Sequence, residues 1–130
     1  MARVVICADG ASQGNPGPSA IGATIKDKEG RLLASISRCI GTTTNNQAEY
    51  RALIAALEEA IRLGASQANI YLDSELVVRQ LNGKYRVKNA ALKPLFQKAK
   101  QLQNCLESCT VNHIPRRQNA EADKLANDAL

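Results

Sequence analysis

The stretch Val4-Val5-Ile6-Cys7-Ala8-Asp9-Gly10-Ala11-Ser12 joins an almost continuously apolar run to an acid and a glycine. An apolar run of this kind is typical of a central strand that is covered on both faces. We therefore expect a strand over residues 3–9, with the Asp9 carboxylate at its C-terminal end. Residues 10–18 contain three glycines and two prolines. They predict a sharp turn that either offers backbone N–H groups to a polar ligand or only closes a hairpin.

Two runs of alternating apolar residues follow, and they predict an antiparallel hairpin. The apolar positions lie on either side of a turn at 27–30 and are Ile21, Ala23 and Ile25, then Leu32, Ala34 and Ile36. Such alternation is typical of strands that bury one face. Together with the first strand, the hairpin predicts a three-stranded antiparallel meander that reaches about Ile40.

The rest of the chain alternates between helical and strand-like patterns. Helices are predicted over 48–63, 74–81, 90–106 and 119–130, and strands over 68–73 and 108–114. Because strand–helix–strand connections favour parallel pairing, the strand that ends in Asp73 should run parallel to the first strand. Asp9 and Asp73 would then share one edge of an α/β sheet, where such folds place their sites. The length predicts a single domain over residues 1–130.

The composition indicates a protein without a membrane span and with one basic surface. No stretch approaches the roughly 18 apolar residues of a membrane span, and the chain opens without a signal or transit pattern, so we expect a cytoplasmic protein. The net charge is +5, and no acid occurs between Leu76 and Leu106. The cations of this interval are Arg79, Lys84, Arg86, Lys88, Lys93, Lys98 and Lys100. Such a surface favours a polyanion, namely nucleic acid, although a solvated helix face is the common alternative.

The four cysteines lack the CxxC spacing of zinc and redox sites. Cys7 and Cys39 lie in strand-like apolar runs and are predicted to be buried thiols. Cys105 and Cys109 straddle the boundary between a predicted helix and a predicted strand, so a disulfide between them stays open, although a reducing compartment disfavours it.

Four acids lie at the ends of predicted strands or on predicted helices, and they are Asp9, Glu49, Asp73 and Asp123. Glu49 alone is explained by the dipole of the helix that it opens, and Asp123 alone could face either a cleft or water. If the four converge, they form a cluster of oxygen ligands, which selects Mg²⁺ or Mn²⁺ over zinc. Two such ions can activate a water molecule and stabilise the leaving oxygen in phosphodiester cleavage.

Four motifs, in this order, resemble type 1 ribonuclease H from end to end of the chain. They are Asp9-Gly10-Ala11-Ser12 with Gly14-Asn15-Pro16-Gly17, then Thr44-Asn45-Asn46-Gln47-Ala48-Glu49, Asp73-Ser74, and Asn119-Ala120-Glu121-Ala122-Asp123-Lys124-Leu125-Ala126. The resemblance implies a ribonuclease H-like fold, in which helices flank a five-stranded mixed sheet made of the meander and parallel strands. It also implies an endoribonuclease that cuts the RNA strand of RNA–DNA hybrids and leaves 5′-phosphate and 3′-hydroxyl ends.

The resemblance further implies roles for individual residues. The metal-binding carboxylates of the family fall on Asp9, Glu49, Asp73 and Asp123, with Asp9 as the bridge between two ions. Asp123 would help to hold the ion that activates water, while Glu49 and Asp73 would hold the ion at the leaving 3′ oxygen. The residues matched to minor-groove contacts are Gly10, Ala11, Ser12, Asn15, Thr44, Asn45 and Asn46. Amide and peptide groups suit a ribose 2′-hydroxyl, which both donates and accepts hydrogen bonds.

The region before the last acid departs from the pattern of many family members, which have a mobile His there. His113 lies in a strand-like run, where a histidine is more often structural. Pro115-Arg116-Arg117 instead resembles a branch of the family, often archaeal, that carries Arg in this region. We therefore favour Arg116 over His113 as the auxiliary catalytic residue.

Two further departures concern the contacts with nucleic acid. Glu75 stands where some members have an amide, so it either removes a minor-groove contact or adds an acid beside the site. The link from Gly83 to Ala90 looks too short for the basic protrusion of other members. Lys84, Arg86 and Lys88 are expected to replace that protrusion with a smaller contact to the DNA strand.

Two functions are consistent with these residues. The first is a metal-dependent ribonuclease H that acts as a monomer on RNA–DNA hybrids, with double-stranded RNA as a second candidate substrate. The alternative is a module of the same fold that binds RNA–DNA hybrid or double-stranded RNA without cutting it. A missing carboxylate would have indicated the binding module, and all four acids are present.

Overall fold

The computed structural model describes residues 3–130. Its strands are β1 (Arg3–Ser12), β2 (Gly17–Asp27), β3 (Leu32–Thr43), β4 (Gln67–Leu72) and β5 (Ser108–His113). Its helices are α1 (Asn45–Arg62), α2 (Glu75–Leu81), α3 (Lys93–Asn104) and α4 (Ala120–Asp128), with a 3₁₀ turn at Arg116–Asn119. The strands form one sheet in the order β3-β2-β1-β4-β5, antiparallel from β3 to β1 and parallel from β1 to β5. The predicted α/β fold, with its meander and two parallel strands, is confirmed.

Strand β1 is longer than the sequence indicates, and Asp9 lies inside it rather than at its end. The parallel pairing with β4 stops at Ala8, whereas the antiparallel pairing with β2 continues to Ser12. The expected turn over residues 10–18 is therefore confined to residues 13–16. The glycines and prolines of this stretch do not end β1 at Gly10, because residues 10–12 still pair with β2. Asp9 thus stands just beyond the point where β1 loses its β4 neighbour.

Local side-chain chemistry sets where two helices begin. Helix α1 begins at Asn45, earlier than the apolar spacing predicts, because Thr44 and Gln47 form a capping box. The Thr44 hydroxyl accepts the Gln47 N–H at 3.2 Å, and the Gln47 side chain accepts the Thr44 N–H at 2.8 Å. Helix α3 begins at Lys93 rather than near residue 90, with Pro94 in its first turn, where no N–H is needed. Among residues 3–130, no helix is both long and apolar enough to cross a membrane.

The main hydrophobic core lies between the sheet and α1. Ile6 on β1 and the α1 residues Tyr50, Leu53 and Leu57 have no exposed surface. Burial of each of these large side chains stabilises the fold by about 1.5–3 kcal/mol. The Tyr50 hydroxyl donates to the Gln80 side chain at 2.7 Å, so the core also joins α1 to α2.

Two glycines let helices approach the sheet on opposite faces. A Cβ atom at Gly10 would lie 2.4 Å from the Ala48 carbonyl carbon of α1. A Cβ atom at Gly22 would lie 2.2 Å from the Ala122 carbonyl oxygen of α4. Gly22 pairs with Asp9, the neighbour of Gly10, and successive residues of a strand face opposite sides. Helices α1 and α4 therefore cover opposite faces at the level of Asp9.

The prediction that Cys39 is a buried thiol is wrong, and Cys7 is only partly buried. Cys39 lies on β3, an edge strand that pairs with β2 alone, so part of its surface remains in solvent. Cys105 and Cys109 are free thiols, and the disulfide left open by the sequence is not formed.

Candidate active site

Three of the four predicted acids meet where β1 and β4 separate. Asp9 lies on β1, Asp73 directly follows β4, and Glu49 lies in the second turn of α1. One carboxylate oxygen from each residue lies within 4.8 Å of the other two. Asp9 is 4% exposed and Glu49 is 7% exposed, whereas Asp73 is half-buried. We call Asp9, Glu49 and Asp73 the acidic triad.

The Glu49 carboxylate is held by the backbone on one side and lacks a partner on the other. The Gly10 N–H donates to Glu49 Oε1 at 3.0 Å. Glu49 Oε2 is buried without a hydrogen-bond partner among the described residues. A buried carboxylate oxygen without a donor is unfavourable in the protein alone, and a bound cation would satisfy it.

Burial and neighbouring acids raise the pKa values of Asp9 and Glu49. Burial raises the pKa of Asp9, and the neighbouring carboxyl groups of Glu49, Asp73 and Asp123 raise it further. Burial also raises the pKa of Glu49, although the hydrogen bond from the Gly10 backbone opposes that shift. Ionisation of both Asp9 and Glu49 is therefore unfavourable in the protein alone, and a cation between them would offset that cost. Oxygen ligands of this kind fit hard divalent ions such as Mg²⁺ or Mn²⁺.

The fourth acid, Asp123, lies on α4 at the margin of the acidic triad. Its side chain is 30% exposed and contacts Arg116 Nη2 at 3.3 Å. The Asn127 side-chain amide donates to Asp123 Oδ1 at 3.2 Å. Asp123 lies close enough to Asp9 to help raise the pKa of that carboxyl group. Asp123 is therefore close to the other acids but has its own neutralising partners.

Asn119 is a site residue that the sequence did not single out. In the sequence it stands only at the start of the fourth motif, with no predicted role, but it is 1% exposed. Its amide donates to the Ala8 carbonyl at 2.9 Å and to Asp73 Oδ2 at 3.1 Å. Its spacing of four residues from Asp123 was the available signal, but spacing does not reveal burial.

A cleft of about 410 Å³ opens above the acidic triad. The predicted substrate-binding residues that line it are Gly10, Ala11, Ser12, Asn45 and Asn46. Asn15 and Thr44 instead organise the rim. Asn15 Oδ1 accepts the Asn45 N–H at 3.0 Å, and Thr44 caps α1. The absence of a side chain at Gly10 makes room for α1, so this glycine serves the fold as well as the cleft.

The remaining predicted residues lie outside this cleft. His113, Glu75 and Lys84 line a separate cavity of about 420 Å³, in which Glu75 pairs with Arg79 at 2.8 Å. Arg86 lines a third cavity, of about 550 Å³, beside Tyr85 and Phe96. Lys88 is exposed in the link between α2 and α3. Of the two auxiliary candidates, Arg116 lines the cleft of the acidic triad and His113 does not.

Comparison with known proteins identifies the family. A family model described as reverse transcriptase-like matches residues 7–129. The crystal structure of RNase H1 from the archaeon Halobacterium salinarum is 42% identical, with a TM-score of 0.95 over 98% of this chain and 96% of that chain. The chain belongs to the ribonuclease H family.

Two other ribonuclease H structures are similar to the chain. The N-terminal RNase H domain of Rv2228c from Mycobacterium tuberculosis is 44% identical, with a TM-score of 0.95 and 98% of each chain covered. LC11-RNase H1, isolated from compost, is 43% identical in a complex with an RNA/DNA hybrid, with a TM-score of 0.92 over 97% of this chain and 95% of that chain.

The curated relatives are longer than this ribonuclease H chain. The chain spans 35% of the bifunctional protein Rv2228c, to which it is 44% identical. It spans 64% of ribonuclease HI from Halobacterium salinarum, to which it is 42% identical.

Proposed function

We propose that the chain is an endoribonuclease that hydrolyses the RNA strand of RNA–DNA hybrids, leaving 5′-phosphate and 3′-hydroxyl ends. The acidic triad carries this proposal, because it places three carboxylates within 4.8 Å of one another at the base of an open cleft. Membership of the ribonuclease H family supports the reaction. The hybrid bound to LC11-RNase H1 supports the substrate.

Asp9, Glu49 and Asp73 would hold divalent cations, with Asp123 as a fourth ligand at the margin. Mg²⁺ and Mn²⁺ fit this set of oxygen ligands, and two ions are expected when the substrate is bound. When bound, such ions supply an activated water molecule and stabilise negative charge on the leaving oxygen.

The protein residues would fix the positions of these charges. Glu49 is oriented by the Gly10 N–H, and Asp73 accepts the Asn119 amide. One Asp9 oxygen lies within 4.8 Å of an oxygen of Glu49 and of Asp73, and Asp9 is proposed as the central ligand. The Arg116 side chain beside Asp123 is a cation at the edge of the cleft, 78% exposed, and is proposed as the auxiliary catalytic group. Burial of Asp9 and Glu49 keeps bulk water from competing with these contacts.

The surroundings of the cleft fit a duplex that contains RNA. Asn45, Asn46 and the backbone of residues 10–12 offer donors and acceptors of the kind that a ribose 2′-hydroxyl requires. Lys84, Arg86 and Lys88 are exposed and carry charge suited to the phosphates of the other strand. Double-stranded RNA is therefore a second candidate substrate.

A panel of end-labelled duplexes tests the proposal. Purified protein is mixed with RNA–DNA hybrid, double-stranded RNA and double-stranded DNA, each with Mg²⁺, Mn²⁺ or EDTA. We expect cleavage of the hybrid with metal only, and products that a 5′-phosphate-dependent exonuclease degrades. The matched control is Asp73→Asn, which should bind the hybrid without cutting it. Tight binding by the unaltered chain without cleavage in either metal would favour the binding module instead.

A further inference from the structure

Asn119 occupies a position between the sheet and the C-terminal segment. It ends the 3₁₀ turn and directly precedes α4, so Arg116 and Asp123 lie on either side of it in the chain. Its side chain is nevertheless buried against β1 and the end of β4. A polar side chain that is 1% exposed needs specific partners, because an unmade buried hydrogen bond costs about 1–3 kcal/mol.

The chemistry of the partners fixes the orientation of this amide. Both the Ala8 carbonyl and the Asp73 carboxylate are acceptors, so the amide nitrogen must face them. Its two hydrogens are both used, at 2.9 Å toward Ala8 and 3.1 Å toward Asp73. The reversed amide would place an oxygen against two other oxygens.

Both hydrogen bonds of the Asn119 amide lie at the point where the parallel pairing of β1 and β4 ends. The parallel register of β1 and β4 ends at Ala8 and Leu72, and Asp73 is the next residue of the chain. Here β4 no longer holds the backbone beside β1, and the amide bridges the two strands. The bridge therefore lies at the point where the strands that carry two members of the acidic triad separate.

We propose that Asn119 is a positioning residue that fixes the Asp73 carboxylate toward Asp9 and Glu49 and anchors the segment that carries Asp123. The role rests on the proposed function, because it assumes that Asp73 is a metal ligand. One Asp73 oxygen accepts a hydrogen bond from the Asn119 amide, which limits the rotation of the carboxylate. Outer partners of this kind orient metal ligands, and their loss typically costs about 10–100-fold in metal affinity.

The test measures Mn²⁺ binding by calorimetry on the protein without nucleic acid. Asn119→Ala should weaken Mn²⁺ binding about 10–100-fold and lower kcat, while KM for the hybrid stays unchanged. Asn119→Ser keeps one short donor and should fall between the two proteins. It also provides a second variant if alanine does not fold.

The matched control is Asn112→Ala. The Asn112 amide donates to the Ile70 carbonyl of β4 at 3.2 Å, so this variant also loses an amide bond to the sheet. Its hydrogen-bond partners are the Ile70 carbonyl and the Thr110 hydroxyl, and neither is a carboxylate. We expect a loss of thermal stability with Mn²⁺ affinity unchanged.

A double-mutant comparison separates positioning from general destabilisation. In an Asp73→Asn background, Asn119→Ala should change Mn²⁺ affinity much less than in the unaltered chain, because only the anchoring of the Asp123 segment remains to be lost. If the Asn119 variants fold and bind Mn²⁺ as tightly as the unaltered chain, the positioning role is wrong. If the unaltered chain itself binds neither Mn²⁺ nor Mg²⁺, the proposed function fails instead, so the two failures are distinguishable.

Discussion

The acids around the cleft belong to two regions that differ in burial and in neutralisation. Asp9 and Glu49 are almost completely buried, and within residues 3–130 no member of the acidic triad forms an ion pair. Asp123 is 30% exposed and already has the Arg116 guanidinium beside it. The triad therefore depends on an external cation, whereas Asp123 is partly satisfied by the protein.

This difference reflects how each region is built. The triad is fixed by the sheet and by the first turns of α1, which close packing holds against β1. Asp123 is carried by a short helix that contacts the sheet near Gly22. We infer that the triad sets metal affinity and that Asp123 adjusts it. The following predictions test this division in order of expected effect.

Asp9→Asn should have the largest effect. Hybrid cleavage should fall roughly 10³-fold or more, because the substitution removes a charge from the centre of the metal site. The metal-free protein should become more stable, since burial and the neighbouring acids raise the pKa of Asp9 and make its charge unfavourable. Single-turnover kinetics and urea unfolding in EDTA measure the two effects. A variant that is both inactive and less stable would contradict this interpretation of the triad.

Asp123→Asn should have a smaller effect. We expect a decrease in cleavage of about 10–100-fold, which higher Mn²⁺ concentrations partly restore, because the triad remains intact. Glu121→Gln is the control, since it removes another acid of the same helix. The Glu121 carboxylate pairs with Lys26 at 2.7 Å, away from the cleft. Its activity should not change. A loss as large as that of Asp9→Asn would remove the distinction between the two regions.

The stability of the metal-free protein should fall as the pH rises. The pKa values of Asp9 and Glu49 are raised in the fold, so above about pH 4 the folded protein binds more protons than the unfolded chain. In EDTA, the urea midpoint should be lower at pH 8 than at pH 5.5. The corresponding free energy of unfolding should be at least about 1 kcal/mol smaller at pH 8.

Two control measurements test whether the acidic triad causes this pH dependence. Asp9→Asn should flatten it, since only Glu49 then contributes. Saturating Mg²⁺ should also flatten it, because the cation replaces the protons. An equal slope in Asp9→Asn would assign the pH dependence to groups outside the triad.

Arg116→Gln should have the smallest effect on metal binding. Removal of the exposed guanidinium leaves Asp123 free to attract cations, so Mn²⁺ binding without nucleic acid should become about 2–5-fold tighter. Arg117→Gln removes the same charge one position later and should change the affinity less. Weaker Mn²⁺ binding in Arg116→Gln would show that Arg116 supports the metal site rather than competing with it.

The proximity of Asp9 and Asp73 could be predicted because both follow apolar strand-like runs of parallel strands, although Asp9 lies inside β1 rather than at its end. Their approach to Glu49 could be inferred only from the family resemblance. A helix N-terminus explains a glutamate there equally well, and no local pattern shows that Gly10 brings α1 within contact of β1.

Contacts that depend on the tertiary fold were not accessible from sequence. The strand-like pattern around Cys39 does not show that β3 is an edge strand, so its exposure was missed. Nothing in the pattern around Asn119 indicates burial, yet its side chain bonds the Ala8 carbonyl and the Asp73 carboxylate inside the protein. Residues 10–12 contain turn formers, but continued pairing with β2 keeps them in β1.

Gly22 carries no functional group, and its strand contributes no acid to the cleft. A single methyl group there would lie 2.2 Å from the Ala122 carbonyl and would push α4, with Asp123, away from the sheet. The position of the Asp123 carboxylate thus depends on residue 22 as well as on residue 123. Gly22→Ala, which adds a single methyl group outside the cleft, is therefore expected to act as an active-site mutation.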